Sequence, residues 1–133
     1  MSNRGDDTMV QPTVLVVEDD RDTRDFFVDL LTYEGFRVLT AATGRAGLDH
    51  LAGQHVDVVV LDLRLPDMDG YTVCRAIRAS DQSAAPIIVV SANRAADSEE
   101  KARVAGATEY LAKPFELRML TELLRSLVGP ANQ

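Results

Sequence analysis

Five short runs of apolar, largely β-branched residues divide this chain, and a segment with helical spacing follows each of them. The runs cover residues 13–17, 37–40, 56–61, 87–90 and 109–112. The third and fourth are almost continuously apolar, as strands become when both of their faces are covered. Among the intervening segments, residues 22–34 place Phe26, Phe27, Leu30 and Leu31 at helical spacing and close on Gly35. Residues 44–53 carry Leu48 and Leu51, and residues 69–79 carry Val73, Ala76 and Ile77 on one stripe. Residues 95–105 are poor in large apolar side chains and stop before Gly106, whereas residues 116–128 carry Leu117, Leu120, Leu123, Leu124 and Leu127. Gly129 and Pro130 end that last segment. A β-α unit repeated five times predicts an α/β fold: one parallel sheet with right-handed crossovers and helices on both faces. For five strands we adopt the order 2-1-3-4-5, one of the common doubly wound arrangements, which gives a three-layer sandwich.

The length of 133 residues suits one domain. Residues 1–11 are polar and unpatterned and read as an N-terminal tail, residues 12–129 as the domain, and residues 130–133 as a C-terminal tail. The chain stops directly after the fifth helix, which fits a stand-alone module or one domain of a longer protein. A hydrophobic content of 46% argues against wholesale disorder. Acidic residues outnumber basic ones by 21 to 14, for a formal net charge of −7. That balance works against direct nucleic-acid or anionic-membrane binding, and it invites cations wherever carboxylates converge. The sequence holds no apolar run of membrane-spanning length and no apolar signal-peptide core, and a single cysteine permits no disulfide framework. The expected compartment is the cytoplasm.

Ligands of such sheets collect outside the carboxyl ends of the strands. The first run is followed by Glu18, Asp19 and Asp20, the third by Asp62, the fourth by Ser91, and the fifth by Lys113 and Pro114. Only Ala41 and Ala42 follow the second, as befits an edge strand. Several carboxylates in one crevice repel each other unless a cation neutralises them. Magnesium does so with one or two carboxylates, waters and a phosphate oxygen. Asp62 could then attack phosphorus and form an acyl phosphate. The ion would meet one phosphoryl oxygen, the Lys113 ammonium a second and the Ser91 hydroxyl a third.

Taken singly, each residue has a bland reading. Acids favour helix N-termini, and Asp20 fits the cap of the first helix. Asp62 could also be a cap, Ser91 a turn residue and Lys113 a surface lysine. Together those readings need four coincidences on one sheet edge. Cys74 is read as half-buried packing, and His50 and His55 as surface residues, since no partners stand at metal-ligand spacing. Gly44 and Gly47 beside Arg45 lack the context of a dinucleotide-binding loop.

The run VLVVEDD at residues 14–20 resembles the opening of bacterial two-component response-regulator receiver domains, the chemotaxis-regulator type included. VVVLDLRLPDMDG at residues 58–70 is similar to their phosphoacceptor segment, and residues 87–92 and 106–115 (GATEYLAKPF) to their switch and lysine segments. The resemblance covers roughly residues 12–129 and implies a flavodoxin-like sandwich. It implies Asp62 as phosphoacceptor, Glu18 and Asp19 as the acidic pair, and the Arg64 backbone carbonyl as a further ligand of Mg2+ or Mn2+. Ser91 would be the switch hydroxyl, Tyr110 the switch aromatic and Lys113 the phosphate-pairing cation, with a cis peptide before Pro114. Glu18 stands where many members have aspartate, and Ser91 where threonine is frequent. Arg64 and Asn93 are expected to flank the attacking water and tune the phosphoryl lifetime.

The partners implied are a histidine kinase or histidine phosphotransfer protein, docking on the first helix (Arg21, Arg24) and Pro114-Phe115, and an output protein or domain. Phosphorylation would repack the face of the fourth helix, fifth strand and fifth helix. That face, with Glu109, Arg103 and Arg118, could also support a phosphorylation-dependent homodimer. Such a chain catalyses its own phosphorylation and dephosphorylation but serves mainly as a switch. A dehalogenase-like phosphatase would want a second aspartate where Arg64 stands, and a flavodoxin-like cofactor carrier would want a phosphate-cradling loop where three acids stand. The remaining alternative is a phosphorylation-independent pseudo-receiver acting as an interaction module.

Overall fold

The hydrophobic runs form the strands of one parallel sheet in a computed structural model that describes residues 11–92 and 96–128. The elements in chain order are β1 (Thr13–Val17), α1 (Arg21–Tyr33), β2 (Arg37–Ala41), α2 (Gly44–Gly53) and β3 (Val58–Asp62). Then follow α3 (Gly70–Arg78), β4 (Ile87–Ser91), α4 (Ser98–Ala105), β5 (Glu109–Ala112) and α5 (Leu117–Val128). The sheet order is β2-β1-β3-β4-β5, the order expected for a flavodoxin-like sandwich, and every adjacent pair is parallel. Asn93, most of the N-terminal tail and the C-terminal tail lie outside the described residues.

Alternation along the central strands supplies two cores. Leu15, Val17, Val59, Leu61, Ile87 and Val89 face one side and pack with Val73, Cys74 and Ile77 of α3 and Ala102 and Ala105 of α4. Val14, Val16, Val58, Val60, Ile88 and Val90 face the other and pack with Phe27 and Leu31 of α1 and Leu120 and Leu124 of α5. This period of two, with both faces buried, is why β1, β3 and β4 read as unbroken apolar runs.

Several boundaries differ from the sequence reading. α1 begins one residue early because Asp20 caps it: Oδ2 accepts from the Thr23 backbone N–H at 2.9 Å and from the Thr23 hydroxyl at 2.7 Å. Phe26 is 46% exposed while Phe27 is buried, so the apolar stripe of α1 is narrower than Phe26, Phe27, Leu30 and Leu31 together suggested. β3 starts at Val58 rather than residue 56, since the Val56 N–H is taken by the Gln82 side chain at 2.9 Å. β3 and β4 each run one residue further, so that Asp62 and Ser91 are the last residues of their strands. Cys74 is fully buried, not half-buried, and burial pushes its thiol pKa up to about 11.

The loops that shape the upper rim are pinned. After β3 the chain turns back so that the Gly70 N–H donates to Leu63 O at 2.8 Å and Arg64 pairs with Asp69 in an antiparallel bridge. Gly70 presses on backbone: a Cβ there would lie 2.6 Å from Leu63 Cα and 2.8 Å from Asp62 O. Asp67, in the same loop, accepts from the Gly44 and Arg45 N–H groups at 2.8 and 2.9 Å and so holds the start of α2. These bonds keep the Asp67 carboxyl below the usual aspartate range. Among the described residues no helix is long and apolar enough to cross a membrane.

Candidate functional site

Four strand ends deliver polar side chains to one edge of the sheet. Glu18 follows β1 directly and its N–H continues the ladder to Ala41 O at 2.9 Å. Asp62 and Ser91 end adjacent strands β3 and β4. Lys113 follows β5, with its N–H bonded to Ser91 O at 2.8 Å and a cis peptide to Pro114. Glu18, Asp62 and Ser91 are buried and Asp19 is exposed, so the cleft has a dry floor and one open acidic wall.

One carboxylate oxygen from each of Glu18, Asp19 and Asp62 lies within 4.8 Å of the others, the one such grouping of potential metal ligands among the described residues. The Lys113 ammonium sits between two of them, 3.3 Å from Glu18 Oε1 and 3.4 Å from Asp62 Oδ2. The remaining oxygens of that pair also have donors. The Asp20 N–H reaches Glu18 Oε2 at 3.1 Å, and the Arg64 N–H reaches Asp62 Oδ1 at 3.0 Å. Each buried carboxylate is thus oriented by one backbone N–H and one shared cation.

The electrostatics follow from that packing. Burial raises the Glu18 pKa, and the Asp62 charge adds to it, against the opposing pull of the Asp20 N–H and Lys113. Burial alone would depress the Lys113 pKa, but the charges of Asp62 and Glu18 outweigh it and hold the ammonium above its ordinary 10.5. Three carboxylates face one ammonium. The excess of negative charge, carried wholly by oxygen donors, has the composition that a hard divalent cation takes. The three acids could hold such an ion, and Asp62 would then be a carboxylate oriented for attack on an electrophile.

The structure brings together five of the expected site residues: Glu18, Asp19, Asp62, Ser91 and Lys113. Arg64 adjoins them through its N–H, which is what the structure adds to its expected carbonyl role. Tyr110 lies half-buried on β5, its hydroxyl 2.7 Å from the Ser98 hydroxyl at the start of α4. His50 bonds Thr40 O and His55 bonds Asp57, both apart from the acidic cluster. Of the expected docking residues, Arg21 is exposed and pairs with Asp25, and Phe115 is half-buried beside exposed Pro114.

Four residues had no place in the sequence reading, or a different one. Arg24 gives one nitrogen to the carbonyls of Glu18 and Asp19, at 3.0 and 3.2 Å. Asp67 anchors α2 as described. Arg78 donates to the carbonyls of Ser83, Ala85 and Gly106, and Gln82 to those of Leu51 and Gln54. A long polar side chain aimed at a backbone carbonyl leaves no trace in residue spacing. An arginine close to a helix N-terminus, where the dipole disfavours a cation, was the one available hint for Arg24.

The sequence profile of the "Response regulator receiver domain" matches residues 14–125. Over 117 residues the chain is 39% identical to the transcriptional regulatory protein AfsQ1 of Streptomyces coelicolor, covering 88% of this chain and 51% of that protein. It is 38% identical over 115 residues to the response regulator MprA of Mycolicibacterium vanbaalenii, covering 86% and 49%. The chain therefore spans about half the length of the curated relatives it matches. Its fold matches, with a TM-score of 0.82 and 32% identity, the receiver domain of a sensor histidine kinase from Pseudomonas aeruginosa PAO1. The match covers 90% of this chain and 98% of that one, a structure solved with magnesium coordinated in its active site cleft.

Proposed function

The chain belongs to the response regulator receiver domain family, and from that premise we propose that Asp62 accepts a phosphoryl group and thereby switches the surface formed by α4, β5 and α5. The observation that carries this reading is the meeting of Glu18, Asp19 and Asp62 within 4.8 Å, with Lys113 3.4 Å from Asp62. A pair of carboxylates beside a lysine is a common surface motif. Three converging carboxylates, two of them buried and oriented, with one lysine are costly to assemble unless used.

Glu18, Asp19 and Asp62, with the Arg64 carbonyl, would hold Mg2+ or Mn2+, which when bound offsets the charge of the acids and of a phosphoryl oxygen. The Arg64 N–H orients the Asp62 carboxylate. A carboxylate oxygen of Asp62 attacks phosphorus while the bond from phosphorus to the donor nitrogen of a phosphohistidine breaks, its electron pair returning to the imidazole. Lys113, already beside Asp62, follows the new charge onto a phosphoryl oxygen, and the Ser91 hydroxyl donates to another. Drawing Ser91 inward frees space for Tyr110 to turn in. The modification adds roughly −1.5 to −2 charge, and it biases a two-state equilibrium rather than creating a new state. Arg64 flanks the path of hydrolytic water, and Arg64 and Asn93 set the lifetime of the acyl phosphate.

The donor is a histidine kinase or phosphotransfer protein, docked on Arg21, Pro114 and Phe115. The output is a partner protein, a second copy, or a further domain, and the setting is the cytoplasm. Acetyl phosphate with Mg2+ is expected to add one phosphoryl group by intact mass. Asp62→Asn or a chelator abolishes the gain, and Phe115→Ala slows transfer from a kinase but not from acetyl phosphate. Unchanged labelling of Asp62→Asn would remove the proposal by placing the phosphoryl group elsewhere, and a parent that takes up no label would leave the pseudo-receiver reading.

A further inference from the structure

We propose that Arg24 is a positioning residue for the divalent cation: it never touches the ion, but fixes the backbone that aims Glu18 and Asp19 at Asp62. The inference rests on the reading of the three acids as a cation site. Arg24 lies in the first turns of α1, where its own N–H bonds Asp20 O at 2.9 Å. Helical side chains lean toward the N-terminus, so its guanidinium returns along the loop it has just left. There one nitrogen, Nη1, donates to Glu18 O at 3.0 Å and to Asp19 O at 3.2 Å. Nη1 carries two hydrogens, enough for one bond to each carbonyl.

Location distinguishes this arrangement from an ordinary surface arginine. A cation so near a helix N-terminus runs against the dipole, so a local partner must offset that cost. Surface arginines commonly spend themselves on carboxylates, as Arg21 does with Asp25 at 3.8 Å. Arg24 instead ties down the peptide units of two successive acids. Those acids repel each other and Asp62, and a loop held only by its ends would relax by swinging their side chains apart. The Asp20 N–H fixes the Glu18 side chain from one side, and Arg24 fixes the backbone from the other. Supports of this kind, one shell behind the ligands, commonly change metal affinity by about 10- to 100-fold.

The test is a Mn2+ titration of the full chain, followed by calorimetry or by the electron paramagnetic resonance of the free ion. Arg24→Ala is expected to weaken Mn2+ binding about tenfold. Arg24→Lys keeps the charge without the planar fork and is expected to recover less than half of that loss on a logarithmic scale. Arg45→Ala removes an exposed cation from the start of α2, on the same rim, and is expected to bind Mn2+ as the parent does. Thermal unfolding without metal reports separately on whether the variants are folded. Parent-like affinity in Arg24→Ala, full recovery by Arg24→Lys, or equal weakening in Arg45→Ala would each overturn the inference. A parent that binds no Mn2+, or binds it equally well as Asp19→Asn, would instead overturn the cation-site reading beneath it.

Discussion

At the scale of single residues, Lys113 and Glu18 both make the fold weaker as pH rises, Lys113 in the alkaline range and Glu18 in the acid range. Lys113 titrates above its ordinary 10.5 in the fold, so its contribution is fully present at neutral pH and is lost only as pH climbs through the raised value. Glu18 titrates above its ordinary 4.5, chiefly because it is buried. Over the interval between its two values the folded chain keeps a proton that the unfolded chain has released, so metal-free stability falls as pH rises. Glu18→Gln has no such proton. Urea unfolding in a chelator from about pH 4 to about pH 7 is expected to show the parent losing ground steadily against Glu18→Gln. A constant difference between the two would contradict the burial argument.

At the scale of elements, two glycines make a controlled comparison. A Cβ at Gly70 meets backbone at 2.6 and 2.8 Å, whereas a Cβ at Gly53, in the last turn of α2, meets nothing within 4 Å. Gly70→Ala is expected to cost about 1–3 kcal/mol through overpacking, and Gly53→Ala to gain up to about 1 kcal/mol through helix propensity. Urea midpoints at constant slope check both, and a neutral Gly70→Ala would mean that the loop after β3 is softer than its contacts imply. The same elements indicate what could be read from the residues alone. Val14–Val17 and Val58–Leu61 announced buried strands because both of their faces are apolar, and the strict alternation announced a parallel sheet, whereas the strand order was adopted from a common doubly wound arrangement. The acids and lysine at the strand ends were legible as chemical types at topologically determined places. The start of α4 was not, because its buried residues are Ser98, Ala102 and Ala105, too small to give a hydrophobic period. Nor was the exposure of Phe26, since spacing alone does not say which edge of an apolar stripe meets the sheet.

At the scale of the whole molecule, Arg78 joins segments that are distant in sequence. Its guanidinium donates to Ser83 O and Ala85 O at 2.8 and 2.6 Å, at the entry to β4, and by two nitrogens to Gly106 O at 2.9 and 2.7 Å, where α4 ends. A lysine ammonium cannot span those carbonyls. Arg78→Lys is therefore expected to lose about 2–3 kcal/mol, read from urea unfolding, and a loss under about half a kcal/mol would show that water substitutes freely. Gly106, with φ of 121°, reverses the chain at the same point, and Ala107 N–H closes the turn onto Ala102 O at 2.9 Å. The other end of α4 has no side-chain cap from Asp97 and meets β5 through the Ser98–Tyr110 hydroxyl pair. If Asp62 switches this face as proposed, parting the Ser98–Tyr110 hydroxyls would release the head of α4 while Arg78 still holds the chain at Gly106, just past its tail.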